Sequence, residues 1–306
     1  MPILGLENVA NAQKLFRATL FKSFDQAAQF IEPVAFQQTV PTGTIEVIGA
    51  LANTQMREWL GERVVKDVSA EAFTVQMKEY ENTVGIPRKA FEDDQWNLYV
   101  PKINGMGQAA GELKSRLLAA VLEGSSTATG YDGKKLAADD HPVLNPESTS
   151  TVDNSVVTAL GRTAYDAAKL YFASLRNDSD APMGVVPTHI VVKDGGSADT
   201  AATELFETTH IYEDSIMKPN PYNGKLTVIR NPYISSSTFW AVLVLNRVEK
   251  PVMIYNRYDM PKFTMIANED SESVFLRNRI VAGTYFRTVA TIGPWYLAYI
   301  STGAGA

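Results

Sequence analysis

The chain has 306 residues, 45% of them hydrophobic and 20% charged, which is an ordinary globular composition with ample material for a core. It contains no cysteine, so disulfides, thiolate metal sites and cysteine nucleophiles are excluded, and His141, His189 and His210 are its only imidazoles. With 28 Lys and Arg against 34 Asp and Glu the formal charge is −6, which argues against a protein that works by neutralising many phosphates.

No run of apolar residues reaches the roughly eighteen that a membrane-spanning helix needs, and the opening residues lack the basic and apolar regions of a secretory leader. An aqueous compartment and no membrane partner are therefore expected. Residues 8–31 place Val9, Leu15, Phe16, Leu20, Phe24, Ala27, Ala28 and Ile31 near one stripe ended by Pro33, predicting an amphipathic helix. Residues 39–63, with Pro41, Gly43, Gly49 and Gly61 among polar groups, predict an extended or loop region. Phe73, Val75 and Met77 alternate with polar residues, and Thr83 to Ile86 follow a polar turn at 79–82; two strands in a hairpin, closed by Pro87, are expected.

Asp93 or Asp94 is the expected N-cap of a long helix marked by Leu98, Ile103, Met106, Ala110, Leu113, Leu117, Val121 and Leu122 and ended by Gly124. Pro101 requires that this helix either begin there or kink. Residues 124–155 read as a long ordered loop, and 158–175 as a helix with Thr163 and Asp166 in a capping box. Strands are expected at 188–193, 225–230 and 239–245, the last apolar enough to be buried on both faces, with a short helix at 199–207 between them. The segments 252–257, 273–281 and 284–292 then read as antiparallel strands, the last two joined by a tight turn at Ala282-Gly283.

Residue clusters that could carry chemistry are few. Asp139-Asp140-His141 offers two carboxylates and an imidazole, yet neighbours on an extended chain point to opposite faces, and a polar loop capping a turn before Pro142 is the better reading. His189 sits in an apolar strand and His210 near a helix end; neither is beside a nucleophile. Gly195-Gly196-Ser197 joins a strand to a helix but lacks the spacing and the Lys of a phosphate loop, so a glycine turn accounts for it. Arg277, Arg279 and Arg287, with Lys262, suggest a basic group on two adjacent strands, but Glu269, Asp270 and Glu272 nearby favour a mixed-sign solvated surface. Trp59, flanked by Arg57, Glu58, Glu62 and Arg63, suits an aromatic anchor with a polar rim for a partner's pocket, or else folds back on its own domain. No catalytic, cofactor-binding or metal-ligating set emerges, and the chain reads as a non-enzyme.

Several ordered motifs carry a resemblance. They are Met56-Arg57-Glu58-Trp59-Leu60-Gly61-Glu62-Arg63; Tyr80-Glu81-Asn82-Thr83-Val84-Gly85-Ile86-Pro87-Arg88 leading to Glu92-Asp93-Asp94; and Tyr131-Asp132-Gly133-Lys134 with Asp140-His141-Pro142-Val143. Further along come Met183-Gly184-Val185-Val186-Pro187-Thr188-His189, Asn220-Pro221-Tyr222-Asn223-Gly224-Lys225, Arg247-Val248-Glu249-Lys250-Pro251-Val252, and Gly283-Thr284-Tyr285-Phe286-Arg287 to Trp295. Together, from about 50 to 300, they resemble the Mu-like phage and prophage major head subunit family. Two departures are the small acidic run Ala137 to Asp140, where the family pattern has an aromatic, and Pro294 before Trp295, where it has Leu.

This resemblance implies an α+β chain with the Hong Kong type phage capsid fold. Residues 1–38 would be an N-arm, 39–92 an extended-loop β-hairpin, 93–154 the peripheral domain with a long spine helix, 155–246 an α/β axial domain, and 247–306 strands returning to the peripheral domain. It further implies a major capsid protein that forms pentamers and hexamers in an icosahedral shell, assembled in the bacterial host cytoplasm and found in the virion. Double-stranded DNA would be enclosed without sequence-specific binding, with scaffolding or protease, portal and decoration proteins as separate partners and no cofactor. On this template Arg57, Glu58, Trp59, Glu62 and Arg63 are the candidate subunit-interface residues. The arm helix opens the chain almost directly, so scaffolding is expected to be a separate protein, and the acidic balance fits a wall that contains DNA without gripping it. Two alternatives stand beside this: an encapsulin-like nanocompartment shell, and a metal-dependent hydrolase using Asp140 and His141.

Overall fold

A computed structural model of the chain describes residues 6–27, 33–50, 71–145, 148–177, 180–213 and 216–303. Arg57, Glu58, Trp59, Glu62 and Arg63 thus lie outside the described residues, as do Ala28 and Ile31. In chain order the first elements are α1 (Leu6–Ala27), β1 (Ala35–Thr39), β2 (Thr44–Ala50), β3 (Glu71–Gln76), β4 (Lys78–Pro87), α2 (Arg88–Glu92) and α3 (Val100–Leu122). Next come β5 (His141–Pro142), β6 (Thr151–Val152), β7 (Ser155–Val156), α4 (Arg162–Ser174), β8 (His189–Lys193), α5 (Ser197–Ala202), β9 (His210–Glu213), β10 (Ile216–Pro219), β11 (Thr227–Asn231) and β12 (Trp240–Leu243). The chain closes with β13 (Val252–Asn256), β14 (Lys262–Ile266), α6 (Glu272–Arg277), β15 (Arg279–Ile292) and β16 (Ala298–Ser301).

The α1 stripe narrows to Ala12, Phe16, Leu20 and Phe24, four residues apart and all buried, while Leu15 faces solvent. They pack on α3, whose Pro101 lies in the first turn, where its missing N–H leaves no bond unmade; the helix begins there. Neither Asp93 nor Asp94 caps α3. Asp93 closes α2, and Asp94, at φ 53°, accepts a hydrogen bond from Trp96 Nε1 at 2.9 Å. Gly107 and Gly111 sit one turn apart where α1 crosses. A Cβ on Gly107 would overlap the Leu20 carbonyl oxygen, and one on Gly111 would lie 2.7 Å from the Phe24 oxygen. Only glycine admits that backbone approach.

β15 is the axis of the first sheet. β4 runs antiparallel along Arg279 to Thr288; the other side pairs with β14 at Val281 to Tyr285 and with β13 at Thr288 to Ile292, and β1 adds parallel to β13. The hairpin expected between 73–77 and 83–86 does not form. β3 pairs with β2, and only Met77 separates β3 from β4, so the chain passes straight from one ladder into another. Nor is there a turn at Ala282-Gly283: β15 is one continuous strand, and Gly283 permits the close approach of Thr83 across the β4 ladder. Residues 273–277, the first part of the strand expected at 273–281, belong instead to α6, which ends at Asn278 in a left-handed conformation (φ 50°).

The second sheet has the order β11-β8-β12-β16-β7, with β12 antiparallel to both β8 and β16 and buried along its whole length, as its apolar run predicts. α4 packs Tyr165, Ala168, Tyr171 and Phe172 inward. Its capping box is absent: Gly161 precedes the helix, Thr163 lies inside the first turn, and Asp166 instead accepts from Lys169 and the Tyr222 hydroxyl.

Glycine substitutions in α3 test the α1 contact. Gly107→Ala and Gly111→Ala should each destabilise by about 1–3 kcal/mol through overpacking. Gly105→Ala, exposed on the same helix with nothing within 4 Å of its added carbon, should stabilise by about 0.5–1 kcal/mol. Thermal melts decide; a Gly107→Ala gain matching that of Gly105→Ala would contradict the packing.

Candidate functional site

After α3 the chain enters a loop in which Gly133 N–H donates to the Gly130 carbonyl and Gly130 N–H to that of Lys134, a tight reversal closed by Gly133 at φ 73°. Asp132, inside this reversal, accepts from the Lys134 N–H at 3.1 Å and is thereby aimed inward. His141, the first residue of β5, is fully buried. Its Nδ1 lies 2.5 Å from Asp132 Oδ2 and its Nε2 3.3 Å from the Leu136 carbonyl. The imidazole stacks on the Trp295 indole at 4.5 Å and 4°, and Trp295 Nε1 donates to the Tyr131 hydroxyl at 2.7 Å. Tyr131, Asp132, His141 and Trp295, drawn from three motifs of the sequence, therefore meet in one buried cluster.

Trp295 occupies the crossover between the sheets, after the end of β15 and before β16. Gly293 makes the bend, since a Cβ there would overlap the Lys250 carbonyl oxygen. Pro294, at φ −62°, opens the turn and accepts from the Leu297 N–H. Asn154 adds a second fastening: its Nδ2 donates to the carbonyls of Leu136, Trp295 and Ala298, and its Oδ1 accepts from Ala138 N–H. A third is Glu123, at the end of α3, whose Oε1 accepts from the N–H and hydroxyl of Ser235 and the N–H of Ser236. The first two bolt the 124–156 segment to the crossover, and Glu123 ties the end of α3 to the segment before β12; their chemistry is structural.

Asp140 does not join His141. Its carboxylate turns outward to pair with Lys134 while the imidazole points in, so the two do not face one ion. Among the described residues no group of three or more His, Asp or Glu side chains is arranged to hold a metal. The sequence suggests a polar loop in which Asp140 or His141 caps a turn before Pro142; the burial and pairing of His141 are not visible there because its partners lie nine and 154 residues away.

His189 Nδ1 meets the Thr188 hydroxyl at 2.8 Å, and His210 begins β9 rather than closing a helix. At Gly195-Gly196-Ser197, Asp199 Oδ2 takes the Gly195 N–H at 3.1 Å, occupying the place an anion would need. Arg277 pairs with Glu272 on α6, Arg287 with Glu79 across strands, and Lys262 lies 3.9 Å over the Tyr258 ring, so the basic group is dispersed in mixed-sign contacts. In Asn220-Pro221-Tyr222-Asn223-Gly224, Asn220 Nδ2 donates to the carbonyls of Glu204, Leu205 and Thr208, groups that the wide π-helical turn Thr203–Glu207 leaves free. That motif anchors the β9–β10 ribbon.

Burial pushes the Asp132 carboxyl up, but hydrogen bonds from His141 and the Lys134 N–H and the nearby imidazole outweigh it, so its pKa lies below the ordinary 3.8. A depressed carboxylate contributes stability that is fully present above 3.8 and is lost as pH falls through its lower native value. In urea titrations at stepped pH, wild-type stability should decline on acidification below that point, and Asp132→Asn should flatten the decline. His141→Ala, which strands a buried carboxylate, should cost about 3–5 kcal/mol at neutral pH; a loss under about 1 kcal/mol, within the range of ordinary surface changes, would contradict the cluster's role.

The chain is similar to known proteins in sequence and in fold. The family model of the Mu-like prophage major head subunit gpT matches residues 9–161, 154–234 and 235–304. The major capsid protein of Escherichia phage Mu is 33% identical over 101 residues, covering 33% of each chain. The Mu-like prophage FluMu major head subunit of Haemophilus influenzae is 29% identical over 146 residues, 47% of this chain and 46% of that one. The alignments thus span a third to about half the length of these relatives. Among solved structures, the procapsid of bacteriophage JBD30 matches with a TM-score of 0.54 at 24% identity over 94% of this chain and 73% of that one. A virus-like particle from Pyrococcus furiosus matches with a TM-score of 0.52 at 9% identity over 94% and 98%. At such identities the likeness is one of fold, and the fold is the α+β phage-capsid type. With its motifs matched in order from residue 9 to residue 304, the chain belongs to the Mu-like prophage major head subunit family.

Proposed function

We propose that the chain is the major capsid protein of a Mu-like tailed phage, whose activity is self-association into an icosahedral shell of pentamers and hexamers around double-stranded DNA. The observation that carries this reading is the family match along almost the whole chain. The geometry supports it from another direction: among the described residues, those of the motifs around Asp132, His141, Asn220 and Trp295 fasten turns and the sheet crossover. In such a shell each copy makes several modest contacts that close by symmetry, so stability comes from their number. The β2–β3 ladder fits a projecting arm. Its root, through Ile45 and Val47, rests on Met77, Met253, Tyr255 and Val289, and β2 and β3 pair with each other from Thr44 to Ala50.

Residues 1–38, 39–92, 93–154, 155–246 and 247–306 are in this reading the N-arm, extended loop, peripheral domain, axial domain and returning strands. Scaffolding or protease, portal and decoration proteins are separate chains; assembly takes place in the host cytoplasm and the product is the virion head. The net charge of −6 fits an inner wall that contains DNA without holding many phosphates, since each strong contact would oppose packaging and release.

Negative-stain microscopy of the purified chain should show shells or capsomer rings, and nuclease-protected double-stranded DNA should be found in heads from infected cells. A strictly monomeric chain at high concentration contradicts the shell, and particles that carry an enzyme in place of nucleic acid favour the nanocompartment. The double variant Arg57→Ala, Trp59→Ala should assemble poorly; normal particles from it would remove the anchor role of the 57–63 block.

A further inference from the structure

We propose that α6 presents, through Phe275 and Leu276, a contact surface for a second copy of this chain beside a rotation axis; the identity of the partner rests on the shell reading above. α6 buries Val274 in the cluster of Phe16, Trp96, Ile103 and Ile280, while Phe275 and Leu276 on either side of the buried face are 77% and 67% exposed. Among the described residues it is the one element carrying two large exposed apolar side chains. Leu98, 74% exposed, follows Trp96 of the same cluster by two residues, and Ile266, 44% exposed, ends the strand that places Met265 against that cluster. Single exposed apolar residues are ordinary; two adjacent ones on one short helix, rimmed by charge, mark a contact face.

The helix is mounted firmly for its size. At its start Ser271 N–H and hydroxyl both donate to the Asn268 carbonyl, and the N–H groups of Val274 and Phe275 donate to that of Ser271. At its end Asn278, left-handed, donates to the Val274 carbonyl and accepts from the Arg88 N–H, and Arg88 in turn pairs with Glu92 and Glu269. Six residues are too few to be helical alone. Held at both ends, they offer Phe275 and Leu276 with little ordering left to lose on binding.

The rim selects the partner. Glu272 and Arg277 stand at opposite ends of α6, each about 70% exposed and 3.3 Å apart at their charged ends. Within one copy the two close on each other along the helix, and a second copy brought up by rotation presents the same pair reversed, so that the pairs can exchange and Arg277 of each copy face Glu272 of the other. A partner of a single charge sign would gain from one end and be repelled at the other.

The test compares the wild-type chain with Phe275→Asp, Leu276→Asp by sedimentation over a concentration series. The double variant should need at least tenfold more protein to assemble, with the melting temperature of the free chain unchanged. Wild-type particles beside equally abundant variant particles overturn the α6 proposal and leave the shell; so do normal variant particles that merely lack a second protein carried by the wild type. A wild-type chain that stays monomeric overturns the shell reading and this proposal with it. Should the double variant fail to fold, Leu276→Cys decides, because the chain has no other thiol. A short bis-maleimide should link its copies into dimers in particles and leave dissociated chains unlinked, and unlinked particles overturn the proposal.

Discussion

The run from Arg279 to Ser301 belongs to both sheets. Its first part, β15, bonds to β4 on one side and to β13 and β14 on the other; its last part, β16, lies between β12 and β7. The two sheets share one apolar core, in which Val252, Ile254 and Ile292 of the first meet the residues of β8 and β12, and within it the short turn between β15 and β16 fixes how one sheet is set against the other. A turn carries few ladder bonds of its own, and here the fastening comes from side chains of a loop more than a hundred residues earlier in the chain. The stacked imidazole fixes the indole plane, the Tyr131 hydroxyl takes its N–H, and Asn154 takes the carbonyl oxygens on either side of the bend. His141, Asn154 and Trp295 are buried with their partners in place, which is what makes the arrangement specific: a shifted turn would leave several polar groups unpaired at once.

The same economy of close approach recurs at the helical layer. Gly107 and Gly111 let α1 lie against α3 at backbone distance, and below them Lys114 runs its ammonium between the rings of Phe24 and Phe286 to reach Gln37 Oε1 at 3.2 Å. Burial lowers the Lys114 pKa, partly opposed by Asp259. Helices α1 and α3 and strands β1 and β15 are thus joined by one cation whose stem also fills space. In the proposed shell this matters because a head subunit that transmits force between neighbours needs its own layers to move together.

What the residues alone disclosed follows from how local each signal is. α1, α3, β8 and β12 were legible because their burial repeats at 3.6 residues or runs uninterrupted, and Pro101 resolved to a helix start for the reason that made it conspicuous. Strand pairing was not legible: Phe73, Val75 and Met77 alternate as a strand should, but their partner lies in Thr44–Ala50, beyond an intervening segment, and the nearer strand pairs with β15 instead. Gly283 looked like a turn because glycine serves turns and close contacts alike. Ser273 to Leu276 carry apolar residues that suit a strand, and only the αL position at Asn278 shows why they coil. The cluster around His141 was the least legible feature, since nothing in Asp139-Asp140-His141 says which member turns inward. The family resemblance marked these positions as recurrent, and the structure gives them a physical task.

If the crossover is held as described, the two sheets cannot open separately, and the most direct test is native-state hydrogen exchange. The slowest amides of β8 and β12 in one sheet and of β13 and β15 in the other should then share one free energy of opening, equal to that of global unfolding. Amides of one sheet exchanging through an opening several kcal/mol below that of the other, with the remaining sheet still protected, would show that the crossover does not couple them and would contradict the account.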